Sequence, residues 1–252
     1  MKVITIANQK GGVGKSTTVI SLAHGLALKG NKVIVIDLDP QGQCATLLGM
    51  RHEMCVFDYL VSNSKPEYIT RQSGRENLWI IPGDKETATA QIVITSRGEQ
   101  IDYVKNKVKN LNHNNYDYAI IDTAPSVGNL MGGGLFAADY LLIPSACDFL
   151  SSEGAMELIK TMKDLQAKWS WTGKLAGVLP TFYDETTKES QVTLKELREK
   201  FERGVLDPIH RATIFREAAA YGQTLFELDK SKSSRAAQEY QNLIDHIVRI
   251  TK

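Results

Sequence analysis

The segment Asn8-Gln9-Lys10-Gly11-Gly12-Val13-Gly14-Lys15-Ser16-Thr17 gathers three glycines, two lysines and two hydroxyls within ten residues. Glycines let backbone N–H groups wrap a phosphate closely, a lysine meets the outer charge, and a Ser or Thr hydroxyl ligates Mg²⁺. Gly11, Gly12, Val13, Gly14, Lys15, Ser16 and Thr17 are therefore the candidate nucleotide-binding residues, with Ser16 toward the metal. The spacing departs from the ordinary G-x-x-x-x-G-K-[ST] loop, because Gln9 stands where its first glycine would be and Lys10 follows it.

Two further segments carry carboxylates. Asp37-Leu38-Asp39-Pro40-Gln41-Gly42 follows the apolar run Lys32 to Ile36. Acids at i and i+2 on a strand end share one side of the chain, so both are expected to face the phosphate loop if the strands are neighbours. Tyr118-Ala119-Ile120-Ile121 ends in Asp122-Thr123-Ala124-Pro125-Ser126. An Asp closing an apolar strand beside a phosphate loop meets Mg²⁺ through water or through the loop hydroxyl.

These groups need strands that end together. Runs reading as buried strands lie at Val3 to Ala7, Lys32 to Ile36, Leu78 to Ile81, Tyr118 to Ile121, Tyr140 to Ile143, Lys174 to Leu179 and Val205 to Leu206. Helical spacing fills Thr17 to Lys29, Glu86 to Leu111, Gly154 to Ala167, Val192 to Phe201 and Ala236 to Ile250;. The alternation predicts an α/β fold: a single domain over residues 1–252, doubly wound, with a mostly parallel sheet and helices on both faces;. Asn110 to Asn115 reads as a helix exit loop, and Gly132-Gly133-Gly134 as a flexible switch entering a helix;.

Composition excludes several classes. The chain has 252 residues, 42% hydrophobic, with 30 Lys+Arg against 29 Asp+Glu. That balance argues against a wholly basic surface but leaves room for a local patch. Cys44, Cys55 and Cys147 are too few and too scattered for a disulfide framework or a C-x-x-C metal clip, and read as reduced structural thiols;. With neither a secretory leader pattern nor an apolar run long enough to span a bilayer, the expected location is the cytoplasm.

Lys10-Gly11-Gly12-Val13-Gly14-Lys15-Ser16-Thr17 resembles the deviant Walker A motif of the ParA/MinD ATPases, in which a second lysine precedes the glycines. The resemblance runs through nearly the whole chain, including Ala137-Ala138-Asp139 and Ser152-Glu153-Gly154, which match packing and dimer-seam elements. It implies an ATP- and Mg²⁺-dependent P-loop ATPase in which Lys15 binds phosphate in cis. Lys10 would reach a partner's phosphates across an ATP-dependent homodimer. Within the family's D-x-D-P-Q-G pattern, Asp39 would orient or activate the attacking water and Asp37 would help hold the Mg²⁺ shell. Asp122 would be the Walker B acid, although Ala124 replaces the family's first proline there. Related ATPases enclose adenine with two strand ends, which carries over to Phe182 and Asp184, and to Pro208 and Ile209.

The likeness is to short ParA/Soj-type partition ATPases. They bind nonspecific DNA as ATP dimers on the nucleoid, and a ParB-like partner stimulates their weak hydrolysis. Phosphate contacts would come from Lys188, Lys195, Arg211 and Arg216. This chain departs from the family in Thr186-Thr187-Lys188, where relatives carry Arg-Thr-Arg, and in Ile214, where they carry a second Arg. A sibling reading keeps the same machine but positions a protein cargo, such as a microcompartment or chemotaxis cluster, through an adaptor. A MinD-like membrane regulator calls for a basic amphipathic tail, yet the chain ends at Arg249-Ile250-Thr251-Lys252 within the packing helix;. A redox relative would need a cysteine where Met131 stands, and a metabolic ligase would have no need of Lys10.

Overall fold

The computed structural model describes residues 1–51, 54–111, 115–126, 128–148 and 151–252, the side chains of residues 151 and 152 excepted. In chain order the elements are β1 (Lys2–Ile6), α1 (Lys15–Leu28), β2 (Val33–Leu38), α2 (Gln43–Leu47), α3 (Val56–Leu60), α4 (Pro66–Ile69), β3 (Arg71–Gln72) and β4 (Leu78–Ile81). They continue as α5 (Glu86–Ser96), α6 (Tyr103–Asn110), β5 (Tyr118–Thr123), α7 (Asn129–Ala137), β6 (Tyr140–Ala146), α8 (Ser151–Trp169) and β7 (Lys174–Thr181). The last are α9 (Lys188–Phe201), α10 (Ile214–Ala220), α11 (Leu225–Leu228) and α12 (Arg235–Thr251).

The strands form one sheet in the order β3-β4-β2-β5-β1-β6-β7. Every pairing is parallel except β3 with β4. Such sheets bury both faces, and the strands alternate accordingly. Ile4, Ile6, Val33, Val35 and Ile120 join the core beneath α1 and α12, whereas Val3, Ile34, Ile36 and Ile121 join the core beneath α3, α5, α6 and α7. A third cluster holds β6 against α8 through Leu141, Ile143, Ala155 and Leu158. The C-terminal helix is fastened by Leu243, Ile244 and Ile247, all under 5% exposed; burial of each contributes about 1.5–3 kcal/mol.

Register places the chemistry. Ile6 pairs with Asp122 and Asp37 pairs with Asp122, so the ends of β1, β2 and β5 lie level and their following loops meet.

The structure differs from the sequence expectations at four places. Val205 to Leu206 makes only an isolated parallel bridge to Val178, since two residues before Pro208 offer little ladder. Glu86 to Leu111 is two helices, broken where Gly98 takes a left-handed φ of 66°. The antiparallel edge β3 was not expected, being only two residues, Arg71 and Gln72, with no apolar pattern. The glycine triplet is not a flexible switch but the interior of α7. A Cβ on Gly133 would stand 2.6 Å from Val104 Cγ2, and one on Gly134 would stand 3.2 Å from Leu38 Cδ1. These glycines let α7 approach α6 and the sheet, and Thr5 Oγ1 donates to the Gly134 carbonyl at 2.7 Å. The Asn110 to Asn115 loop lies partly outside the described residues, as does the Ser152 side chain.

Candidate nucleotide site

Two of the long helices are capped by a side chain: Ser234 accepts from the N–H of Ala237 in α12, and Thr187 from that of Ser190 in α9. The first helix is not. Its N-cap is Gly14, left-handed at φ 85°, with no capping side chain and no acid in its first turn. Its leading N–H groups are thus left for an external anion, where the helix dipole adds to their pull. A Cβ built on Gly11 or Gly12 would meet nothing within 4 Å, so the loop is an open cradle.

The cradle is anchored from outside the motif. Asn8 donates Nδ2 to the Pro144 carbonyl at 2.7 Å and accepts the Lys10 N–H at 2.9 Å. Thr181, at the end of β7, donates to the Val13 carbonyl at 2.9 Å. Val13 therefore presents only backbone to a ligand, its side chain being 1% exposed.

A cleft of about 350 Å³ opens here, lined by Gly11, Gly12, Gly14, Lys15, Ser16, Thr17, Asp39, Gln41, Gln43, Pro125 and Phe182. Lys15 is 6% exposed and rests its Nζ 3.2 Å from the Lys10 carbonyl. Burial lowers its pKa, opposed by the charges of Asp122 and Asp39.

Behind the cleft lie two fully buried carboxylates. Asp37 accepts the N–H of Asp39 at 3.0 Å and that of Cys44 at 3.1 Å. Burial, and then the neighbouring Asp122, push its pKa well above the carboxylate range. Burial also raises Asp122, against hydrogen bonds from Ser16 and Cys44 and the charge of Lys15. Cys44 Sγ donates to Asp122 Oδ2 at 3.2 Å, and its own pKa is pushed up by burial and both acids.

So of the two acids at the end of β2, Asp37 within it and Asp39 just after it, only Asp39 reaches the cleft. Each oxygen of Asp37 accepts one N–H of the turn that presents Asp39, whose own Oδ1 accepts the Gln41 N–H at 2.9 Å. Adjacent buried carboxylates beside a Ser hydroxyl are a set that a hard divalent cation would neutralise. The open cradle, uncapped helix and paired acids together fit a nucleotide phosphate chain with Mg²⁺.

Lys10 has a different position. Its Nζ makes a 2.7 Å ion pair with Asp148, beyond β6, and the residue does not line its own cleft.

The remaining expected residues divide. Phe182 lines the cleft, with a positive φ of 52° and its ring against Gly14. Ile209 is instead core, 3% exposed, its N–H donating to Pro180 and its carbonyl accepting from Tyr183. Asp184 turns its carboxylate onto Thr186, accepting both N–H and hydroxyl, and Pro208 is half-buried outside the cleft lining. Arg211 stacks its guanidinium 5.7 Å from the Phe182 ring centroid, at the cleft rim. Lys188 and Lys195 are exposed on α9, the latter 3.8 Å from Glu199, and Arg216 is exposed on α10.

Sequence reasoning missed three contributors. Gln41 and Gln43 adjoin a segment already singled out, and their closeness to Asp39 was a usable signal. Asp148, 138 residues from Lys10, gave none.

The sequence matches the AAA domain family over residues 1–174. It is 34% identical to the sporulation initiation inhibitor protein Soj of Bacillus subtilis, covering 98% of both chains. It is 31% identical to the chromosome-partitioning ATPase Soj of Treponema pallidum, covering 98% of this chain and 97% of that one. This chain belongs to the ParA/Soj family. A cobyrinic acid a,c-diamide synthase from Mycobacterium smegmatis, solved with an ATP analogue and magnesium, superposes with a TM-score of 0.83 at 29% identity, covering 99% of this chain and 95% of that one. The fold of this ParA/Soj member is thus one that binds nucleotide with magnesium, and the family is one of ATPases. All three cysteines are free and buried, as expected of structural thiols. No helix among the described residues is long and apolar enough to cross a membrane.

Proposed function

We propose that this ParA-type ATPase dimerises on ATP, docks as a dimer on nonspecific DNA, and is released when a ParB-like or cargo-adaptor partner stimulates its hydrolysis. The observation that carries the reading is Lys10. It stands at the mouth of the phosphate loop but points out of its own cleft onto Asp148, which suits a lysine that serves a second subunit's phosphates. Two such ammonium groups repel without the nucleotide's negative charge between them, which makes dimerisation depend on ATP.

ATP with Mg²⁺ supplies the phosphoanhydride and the charge-neutralising cation. The first-turn N–H groups of α1 and the glycine cradle would hold its phosphates, Lys15 would match their charge, and Ser16 with Asp122 would hold the metal. Asp37 fixes the turn behind Asp39. Asp39, with Oδ1 fastened to Gln41, has Oδ2 to orient a water and take its proton;.

DNA contact would come from the exposed Lys188, Lys195 and Arg216, with Arg211 joining the rim of the cleft to that surface. The deciding experiment is retention on nonspecific duplex DNA with ATP, ADP or no nucleotide, repeated across salt. Binding that requires ATP and falls linearly in log–log salt is the expected result. Absence of retention in every state, with turnover dependent instead on a small carboxylic acid, would replace this reading by an ATP-dependent ligase. The same cycle would serve DNA or a protein cargo, according to which adaptor raises turnover.

A further inference from the structure

Arg75 sits in the turn between β3 and β4, its side chain only 10% exposed, and uses all five N–H groups of its guanidinium;. Nε and Nη2 donate to Glu227 Oε2 at 2.9 and 2.7 Å. Nη1 donates to the Leu48 carbonyl at 2.9 Å and the Ser73 carbonyl at 3.0 Å, and Nη2 to the Gly222 carbonyl at 2.9 Å.

These acceptors belong to different parts of the machine. Leu48 closes α2, which starts directly after the Asp39 turn and whose first residue, Gln43, lines the nucleotide cleft. Gly222 follows α10, which carries Arg216, with Arg211 just before it. The two ends also touch: a Cβ on Gly222 would lie 2.5 Å from Gly49 Cα, and one on Gly49 would lie 3.0 Å from the Gly222 carbonyl oxygen. No side chain lies between them to absorb a shift. Glu227 in turn accepts the Thr224 N–H at 2.7 Å, and Thr224 Oγ1 is 2.6 Å from Nδ1 of His24 on α1, the helix whose N-terminus forms the phosphate cradle.

We propose that Arg75 is a positioning residue: it clasps the end of α2 to the end of α10, so that a movement of the nucleotide loop is delivered to the Arg211–Arg216 segment. What that segment then contacts rests on the DNA reading above; the clasp itself does not. A guanidinium is needed because only its planar fork reaches a carboxylate and backbone carbonyls of two elements at once.

The test uses the full chain as wild type, Arg75→Met and Arg75→Lys. Amide exchange over residues 211–222 is followed with Mg·ATP, Mg·ADP and no nucleotide, alongside ATP affinity, turnover and DNA retention. In wild type ATP changes exchange over this stretch. In Arg75→Met ATP affinity is expected to stay near wild type, while the ATP-dependent exchange difference collapses and the ATP-to-ADP ratio of DNA affinity falls about 5-fold or more. Should Arg75→Met not fold, Arg75→Lys, which keeps the charge but not the fork, must show the same collapse. An ATP-dependent exchange difference of wild-type size in either folded variant overturns the proposal, as does its absence in wild type. DNA retention missing from wild type would instead sink the functional reading, with the exchange arm still deciding the role of Arg75.

Discussion

The nucleotide cleft and the exposed cations proposed to meet DNA use charge in opposite ways. In the cleft and just behind it, Lys15, Asp37, Asp39 and Asp122 are all less than 9% exposed, and backbone N–H groups or neighbouring side chains fix the three acids in place. On the surface, Lys188, Lys195 and Arg216 are exposed on two helices, and Lys195 makes only an i,i+4 pair of 3.8 Å. Burial makes each cleft charge strong and costly to misplace, whereas screened surface charges act mainly in number. A substitution in the cleft should therefore break one step of the cycle, and one on the surface should merely grade it.

The largest effect is expected at Asp39. Asp39→Asn keeps the shape and the Gln41 contact but loses the base, so partner-stimulated turnover should fall by about 10²-fold or more with ATP affinity retained. Wild-type turnover in that variant would end the contrast between the two regions. Next comes the packing that supports the cleft. Gly133→Val would drive a side chain into Val104, 2.6 Å from the new Cβ. A loss of about 3 kcal/mol, measured by urea denaturation, is expected from overpacking.

A third test uses His24, 5% exposed, whose pKa is lowered to about 4 by burial, with Arg75 and Lys232 adding to the shift and Glu227 opposing it. Because the folded value lies below the unfolded one, the unfolded chain takes up a proton first as pH falls below about 6.5. The stability contributed by neutral His24 is full above that pH and lost progressively toward pH 4, amounting to about 2.5 kcal/mol by pH 4.5. The melting temperature of His24→Gln should therefore fall less than that of wild type over this window, and equal falls would refute the assignment. The smallest effect belongs to the surface. Arg216→Glu should weaken DNA retention modestly and reduce the salt slope by about 1 while sparing ATP turnover. A loss as severe as that at Asp39 would show that this surface is not graded but built like the cleft.

Much of this was legible without coordinates. The phosphate loop, Asp39 and Asp122 are read from contiguous motifs because strand, turn and helix follow one another there in the chain, so local chemistry and local geometry coincide. The parallel sheet follows from alternating apolar runs for the same reason. The residues expected around adenine fared differently. Phe182 does line the cleft, but Ile209 turned into the core and Asp184 onto its own turn, because where a loop side chain points depends on what packs behind it. The glycine triplet reads as a flexible switch in sequence and is packed helix interior in the fold, since what matters is Val104 and Leu38 standing against it.

What the sequence alone determined is the set of groups able to do chemistry: a cradle, a lysine, a hydroxyl and acids at strand ends. Only the tertiary structure decided how those groups are shared out. It set Asp37 behind Asp39, laid Lys10 on Asp148 across 138 residues, and drew Arg75, Leu48, Gly222 and Glu227 to one point. The physical reason is that hydrogen bonds and close packing act over a few ångströms of space, and nothing in the local pattern of a chain records which distant segment will come that near.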